Sequence, residues 1–435
     1  MSDTPVTYVR KEMLGQKAPP TSEVGPVRWV RENLFSSPMN AFLTILSLYA
    51  IYVVVSHVGP WLLNGIWDAE SLTECREIIA ATGDGHHSAA CFGVISARWH
   101  QLVFGYYPSE LYWRPILALV VFLVGISPVM FPSLPRKLYI VTLAAPLLCF
   151  WLLWGGSIWF PVSIALGFGV GVVAHKLLDE NVSALAAIIG AIVLPLLFWL
   201  YLAGPIASGL DSVIPLGIEF VPSRSFGGFM LSIVIGLSAI VISLPLGILL
   251  ALARRSDLFI IKTCAVVFIE VIRGIPLIVW LFTAQLLLNY FLPPGSSFDL
   301  TLRVIIMVTL FASAYIAEVI RGGLAALPKG QYEGADSLGL NYWQSMQLII
   351  LPQALKISIP GIVNTFIGLF KDTTLVVFIG LFDPLGIASA IRATTEWNGI
   401  YWELFLFIGI MFFISCFSMG RYSLYLEKKL QREHR

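Results

Sequence analysis

The sequence predicts an all-α membrane protein with about ten transmembrane helices. Three observations carry that reading. Of the 435 residues, 57% are hydrophobic and only 12% charged, with a mean hydropathy of +0.83. That is too apolar for a soluble domain. Apolar runs of about 20 residues, the length a bilayer demands, recur along the chain. Threading those runs through a bilayer also segregates the basic residues strongly to one side. The net charge of +1 says little about partners; membrane lipid is expected as one and nucleic acid is not.

Taken in order, residues 1–39 are polar and carry Asp and Glu, with no short apolar core ahead of a small-residue cleavage site. They read as a disordered cytoplasmic tail ending in an interfacial stretch around Trp29, and not as a secretory signal. Spans are expected at 40–63, 115–131, 138–157, 159–175, 183–204, 227–252, 275–291, 300–321, 358–381 and 401–421. With the amino terminus inside, the inner side receives Arg10, Lys11, Lys17, Arg28, Arg31, Arg136, Lys137, Lys176, Arg254, Arg255, Lys262, Arg273, Arg321, Lys329 and Lys356. The closing residues Arg421, Lys428, Lys429, Arg432 and Arg435 join them. The outer side keeps only Arg76, Arg98, Arg114, Arg224, Arg303 and Arg392. An odd number of spans would reverse this asymmetry over half the chain, so both termini are expected in the cytoplasm.

The chain divides near residue 225. Residues 40–225 hold about five spans and a long outer loop, 64–114. In that loop Cys75 and Cys91 stand either as a pair, in an oxidising compartment, or as two free thiols. His86 and His87 lie beside them in "GDGHHSAAC". Two adjacent histidines and one cysteine lack a metal-ligand spacing, so a solvated loop is expected and no metal site. The five cysteines include no CxxC.

Residues 226–425 hold about five more spans, and 426–435 form a cytoplasmic tail. Pro245, Gly247, Pro276, Pro360, Gly361 and Gly368 inside these spans suggest kinked or closely packed helices. Between two spans, on the cytoplasmic side, residues 322–356 contain the polar stretch "GQYEGADSLGLNYWQSMQLIILPQ". It reads as helix, break, helix. Gln331–Leu338 favours helix, with Glu333 early, where the helix dipole welcomes an acid. Gly339 interrupts, since a mid-helix glycine costs about 1 kcal/mol relative to alanine. Asn341 can cap the next helix, with Gln344 completing a capping box. Pro352 follows "LIIL", and Pro360 is expected to mark the start of the next span. Composition alone makes the segment an interfacial connector; a helix held by two spans is also a lever on them.

"EGADSLG" followed by "IILPQA" resembles the EAA loop of ATP-binding-cassette importer permeases, in which E-A-A and a glycine four residues on precede I-x-L-P. Gly334 departs mildly from the usual alanine. "VIRGIPLIVWLF" (271–282), "SAYIAEVIRGGLAALPKGQ" (313–331) and "LPQALKISIPGIVNTFIGLFKDTTLV" (351–376) are similar to the polar amino-acid permease branch, over about 227–425. The amino-terminal half resembles the extension of the long permease subunits of general L-amino-acid importers of Gram-negative bacteria. The resemblance implies a type I importer transmembrane fold in the bacterial inner membrane. It makes Glu333, Gly334, Ala335 and Gly339 the ATPase-coupling residues. It also implies two copies of an ATP-binding subunit, a second homologous permease subunit forming a heterodimer, and a periplasmic substrate-binding protein.

An ionisable residue inside a span is a functional candidate because charge is costly there. Lys371 and Asp372, two-thirds along the span 358–381, are candidates for the carboxylate and ammonium of an amino acid, although neighbours i and i+1 do not share a helix face. Asn364, Thr365 and Tyr315 are further candidates for the substrate path, with helix packing as the plain alternative. Glu318 with Arg321, and Glu270 with Arg273, fall at i, i+3 and are read as structural ion pairs.

The chain has no G-x-x-x-x-G-K-[ST], so it is not read as an enzyme. No cofactor is expected in it, and ATP with Mg belongs to the partner subunit. The rivals are an ion-gradient-driven secondary transporter, which needs paired repeats that the halves do not show, and a membrane anchor that moves nothing.

Overall fold

The computed structural model describes residues 25–81, 89–131, 133–287, 290 and 299–432. His86 and His87 lie outside the described residues, as does most of the tail 1–39. The chain divides into two compact units, one of residues up to 69 with 73–93, the other of 70–72 with 94 onward.

In the first unit, α1 (Pro26–Asn33) and α2 (Pro38–Leu63) precede α3 (Leu72–Ala81), whose first residue belongs to the second unit. Pro38 takes the first helical position of α2, and Ser37 caps it by accepting the Asn40 N–H (3.2 Å). α2 is apolar on every side and buries no residue, as a helix solvated by lipid does. Beyond it, Cys75 and Cys91 are joined in a disulfide, and Ile66 bridges to Cys91. Of the two states the sequence left open, the structure shows the pair.

The second unit contains α4 (Gly93–Phe104, its first residue excepted), α5 (Trp113–Met130), α6 (Tyr139–Trp154), α7 (Trp159–Asn181), α8 (Ala184–Leu197), α9 (Ala203–Val213), α10 (Gly228–Arg254), α11 (Phe259–Gly274) and α12 (Leu277–Phe282). These are followed by α13 (Leu300–Ala325), α14 (Lys329–Ser337), α15 (Tyr342–Ser345), α16 (Leu351–Asp372), α17 (Pro384–Arg392) and α18 (Trp402–Arg432). Two short strands, β1 (Gly156–Ser157) and β2 (Gly217–Ile218), pair antiparallel. Nine helices among the described residues are long and apolar enough to span a bilayer, and a bent pair brings the number to ten.

Two expected spans differ. The span placed at 275–291 is not one straight helix: Phe259–Gly274 and Leu277–Leu286 meet at 103°. Pro276 forces the preceding residue out of the α region, and Ile275 is extended (φ −114°, ψ 133°). The span placed at 358–381 begins sixteen residues earlier, in a continuous helical run Tyr342–Ile379, so Pro360 lies inside it and does not start it. A π turn over Met346–Ile350, in which the Leu351 N–H reaches the Met346 carbonyl, accommodates Pro352 without breaking the run.

Packing is continuous across residue 225. Phe104, Tyr107, Leu152 and Leu153 share one buried cluster with Phe226, Leu231, Ile235, Val304 and Val308. At that end of α10 the backbones of Gly105 and Gly227 meet, and Gly228 (φ +57°) donates to the Phe382 carbonyl (2.8 Å). A second cluster at the other end of α10 joins Ala251, Ile269, Ile316, Ile320 and Leu324 to Met346, Ile350 and Ala354. The polar segment between α13 and α16 is therefore rooted in a core and does not hang free.

Candidate functional site

α14 starts after Pro328, and Gly339 (φ +70°) ends its last turn in the left-handed region that glycine enters without strain. The Gly339 N–H donates to the Asp336 carbonyl (2.9 Å) and the Leu340 N–H to the Ala335 carbonyl (3.3 Å). The expected capping box is formed: Asn341 accepts the Gln344 N–H (2.9 Å), and Gln344 accepts the Asn341 N–H (3.1 Å). Ala335 is buried against the bundle, while Glu333, Gly334 and Gly339 face outward. Asp336 is exposed beside them, and Leu338 (74% exposed), Trp343 (60%) and Leu348 (70%) are exposed further along the segment.

Three side-chain links, none apparent from the sequence, bind this segment to three long helices. Tyr332 donates to the Leu324 carbonyl of α13 (3.2 Å) and accepts from Arg255, just past α10 (2.6 Å). The Arg255 guanidinium also lies over the Tyr332 ring, 5.2 Å from its centroid. Gln353 of α16 donates to Gln331 of α14 (2.9 Å). These links fasten α14 to α13, α16 and the end of α10 together.

Beside these links, the ends of α10, α11 and α13 are joined by charge. Arg321 meets Glu318 at 2.6 Å, and Arg254 reaches both Glu270 (2.9 Å) and Glu318 (3.3 Å). Arg273 lies 3.7 Å from Glu318, so the expected Glu270–Arg273 pair gives way to partners on other helices. Glu270 and Arg273 lie one turn apart, but α10 and α13 pack against α11 and offer each a closer opposite charge. Tyr315 belongs to this group: its ring packs on Phe311 (centroids 4.8 Å) and carries Arg273 on its face (5.4 Å).

α16 presents a second arrangement. Ile357, Pro360, Asn364 and Lys371 are exposed on it. Asn364 and Lys371 are seven residues apart and share a face to within about 20°. Asp372, the last residue of α16, points about 100° away and is half-buried. Thr365 donates back to the Gly361 carbonyl (2.9 Å), which leaves its hydroxyl committed to its own helix. Gly323 packs on Ala354 and Val319 on Gly361, so α13 and α16 run antiparallel, with Tyr315 level with Asn364 and Thr365. Lys371 and Asp372 lie about 10 Å further along. The five candidates thus fall at two depths and do not form one cluster.

A buried acid outside the spans was not anticipated. Asp383 caps α17 by accepting the Gly386 N–H (2.8 Å), and its other oxygen is buried without a partner. Burial pushes its carboxyl up to about 6, against the opposing pull of the Gly386 and Leu385 N–H groups.

Comparison with known proteins places this geometry. A family model described as a binding-protein-dependent transport system inner membrane component matches residues 243–432. Over the full length of both chains, the protein is 56% identical to the glutamate/glutamine/aspartate/asparagine transport system permease protein BztC of Rhodobacter capsulatus. The chain belongs to the amino-acid ABC transporter permease family. It is also 38% identical to the inner membrane amino-acid ABC transporter permease protein YhdY of Escherichia coli, over 92% of each chain. Among solved structures, an amino acid ABC transporter crystallised with histidines is 31% identical, covering 46% of this chain and 90% of that one, with a TM-score of 0.41. For an ABC permease, the EAA-type segment is α14 with its flanking turn, and the bent pair α11–α12 is part of the transmembrane region.

Proposed function

We propose that this chain is the membrane-spanning subunit through which L-amino acids cross the bacterial inner membrane, driven by ATP hydrolysis on a partner. The observation that carries the reading is α14, which exposes Glu333 while its links fasten it to α10, α13 and α16. Such a helix converts motion of a docked subunit into motion of the spans. Two copies of an ATP-binding subunit, holding ATP and Mg, dock on that side. A second, homologous permease subunit completes a pseudo-twofold heterodimer, and a periplasmic binding protein delivers the substrate.

The relative BztC is named for glutamate, glutamine, aspartate and asparagine, and acidic and amide amino acids are the substrates we assign here. An exposed Lys371 inside a 38-residue helical run is costly against lipid. Its cost falls if the face it shares with Asn364 borders a water-filled path between two permease subunits, where it meets a substrate carboxylate. Both termini lie in the cytoplasm. The Cys75–Cys91 disulfide supports this orientation, because it suits the oxidising periplasm and lies in the loop that the charge asymmetry places outside.

The test is to tag the carboxyl terminus, solubilise in mild detergent and identify what co-purifies. An ATPase subunit with a second permease supports the proposal. A chain that purifies alone and takes up amino acids in proteoliposomes without ATP instead establishes the ion-gradient transporter.

A further inference from the structure

Between α7 and α8 lies a groove of ≈ 670 Å³, lined by Phe168, Val172, Ile192, Leu196 and Trp199, with His175 and Lys176 at one mouth. It lies outside residues 243–432, and the transport reading gives it no role. Phe168, Val172, His175 and Lys176 recur at i, i+4, i+7 and i+8, one face of α7. From Phe168 to Lys176 the groove runs about 12 Å. Its far end is closed by Trp199, which sits edge-on to Phe168 (centroids 4.8 Å) and donates its indole N–H to the Ile164 carbonyl (3.0 Å). The helix spacing is set by glycines: a Cβ at Gly167 would strike Trp199, and one at Gly171 would approach Pro195 to 2.8 Å. Trp199 lies in a π turn, Phe198–Leu202, a distortion frequent at functional sites.

The groove is therefore a fixed slot, apolar along its length and cationic at one end. His175 and Lys176 are exposed, and among the described residues Lys176 forms no ion pair. Asp179 and Glu180 follow one turn further from the apolar slot and do not line it. In a bilayer, the molecule with an apolar tail and an anionic head is a phospholipid, and basic pockets between transmembrane helices select anionic headgroups. We infer that this groove binds one acyl chain of an anionic phospholipid, with the headgroup phosphate at Lys176 and His175.

The experiment reconstitutes the intact complex in nanodiscs of phosphatidylcholine with phosphatidylglycerol, extracts it in mild detergent and quantifies the retained lipids by mass spectrometry. Lys176→Gln lowers retained phosphatidylglycerol about fivefold, the equivalent of the ~1 kcal/mol that one lysine contributes at an anionic surface, and leaves phosphatidylcholine unchanged. Ile192→Trp fills the slot at an exposed position, keeps Lys176 and lowers the same lipid. Gel filtration shows that both variants remain assembled. Unchanged phosphatidylglycerol in both variants overturns the inference. So does loss of the second permease subunit in Ile192→Trp with lipid retention unaffected, since the occupant is then a protein helix.

Discussion

Replacing Glu318 with Gln removes the anion on which three helices converge. Around it stand Arg321 at 2.6 Å, Arg254 at 3.3 Å and Arg273 at 3.7 Å. Glu318 is 24% exposed, Arg254 23% and Arg273 30%, so water screens these pairs only in part. A fully exposed pair contributes ~0–1 kcal/mol, whereas removing one partner of a fully buried pair costs ~3–5 kcal/mol. Intermediate exposure with several partners puts Glu318→Gln at a loss of ~2 kcal/mol. Arg254 keeps Glu270 at 2.9 Å, which limits the damage. The cluster of three arginines and two glutamates goes from +1 to +2, and the added repulsion falls on Arg273, two residues before the break at Ile275. The end of α11 should therefore loosen first. Thermal unfolding of the purified protein in detergent reads the stability loss, and hydrogen exchange over residues 270–276 reads its location. An unfolding midpoint equal to that of the parent, with strict additivity between Glu318→Gln and Arg321→Gln, would refute the reasoning.

Three further outcomes are expected. Asp383 has a folded-state pKa of about 6, above the unfolded value near 3.8, so folding favours its protonated form. The contribution of Asp383 to stability is then fully present below pH ~4 and is lost, by ~3 kcal/mol, as pH rises through 6; Asp383→Asn should remove that component of the slope in melts run across this range. Gly228→Ala places a Cβ 2.3 Å from the Leu102 carbonyl at φ +57° and should cost about 1–3 kcal/mol or more, seen as reduced yield of folded protein. Lys371→Met should reduce glutamate uptake about tenfold or more, from the ~1.5 kcal/mol of a charge-assisted hydrogen bond, while Lys371→Arg retains most of it.

The spans were legible because a bilayer demands about 20 apolar residues whatever the bundle does with them. The capping box at Asn341 and Gln344 was legible for a similar reason: it is local chemistry, complete within four residues. The bend at Ile275 was signalled by Pro276, yet Pro352 and Pro360 were signalled equally and sit in a continuous helix. A membrane helix tolerates proline wherever neighbours or a π turn satisfy the freed carbonyls, and that depends on packing. Long-range partners left no trace in spacing. Arg254 is 64 residues from Glu318, and Arg255 is 77 from Tyr332. The i, i+3 rule identified Glu318 with Arg321 but could not foresee that α10 would draw Glu270 away from Arg273. Nothing in the local spacing sets Asp383 apart, and only burial of the turn around it marks it out.

The most direct test of α14 as the lever is the ratio of ATP hydrolysed to amino acid transported by the reconstituted complex carrying Glu333→Lys. Glu333 is exposed and makes no ion pair among the described residues, so reversing its charge spares the fold. The account predicts an assembled complex whose hydrolysis continues while uptake collapses. Uptake and hydrolysis both at the parent's level would contradict it.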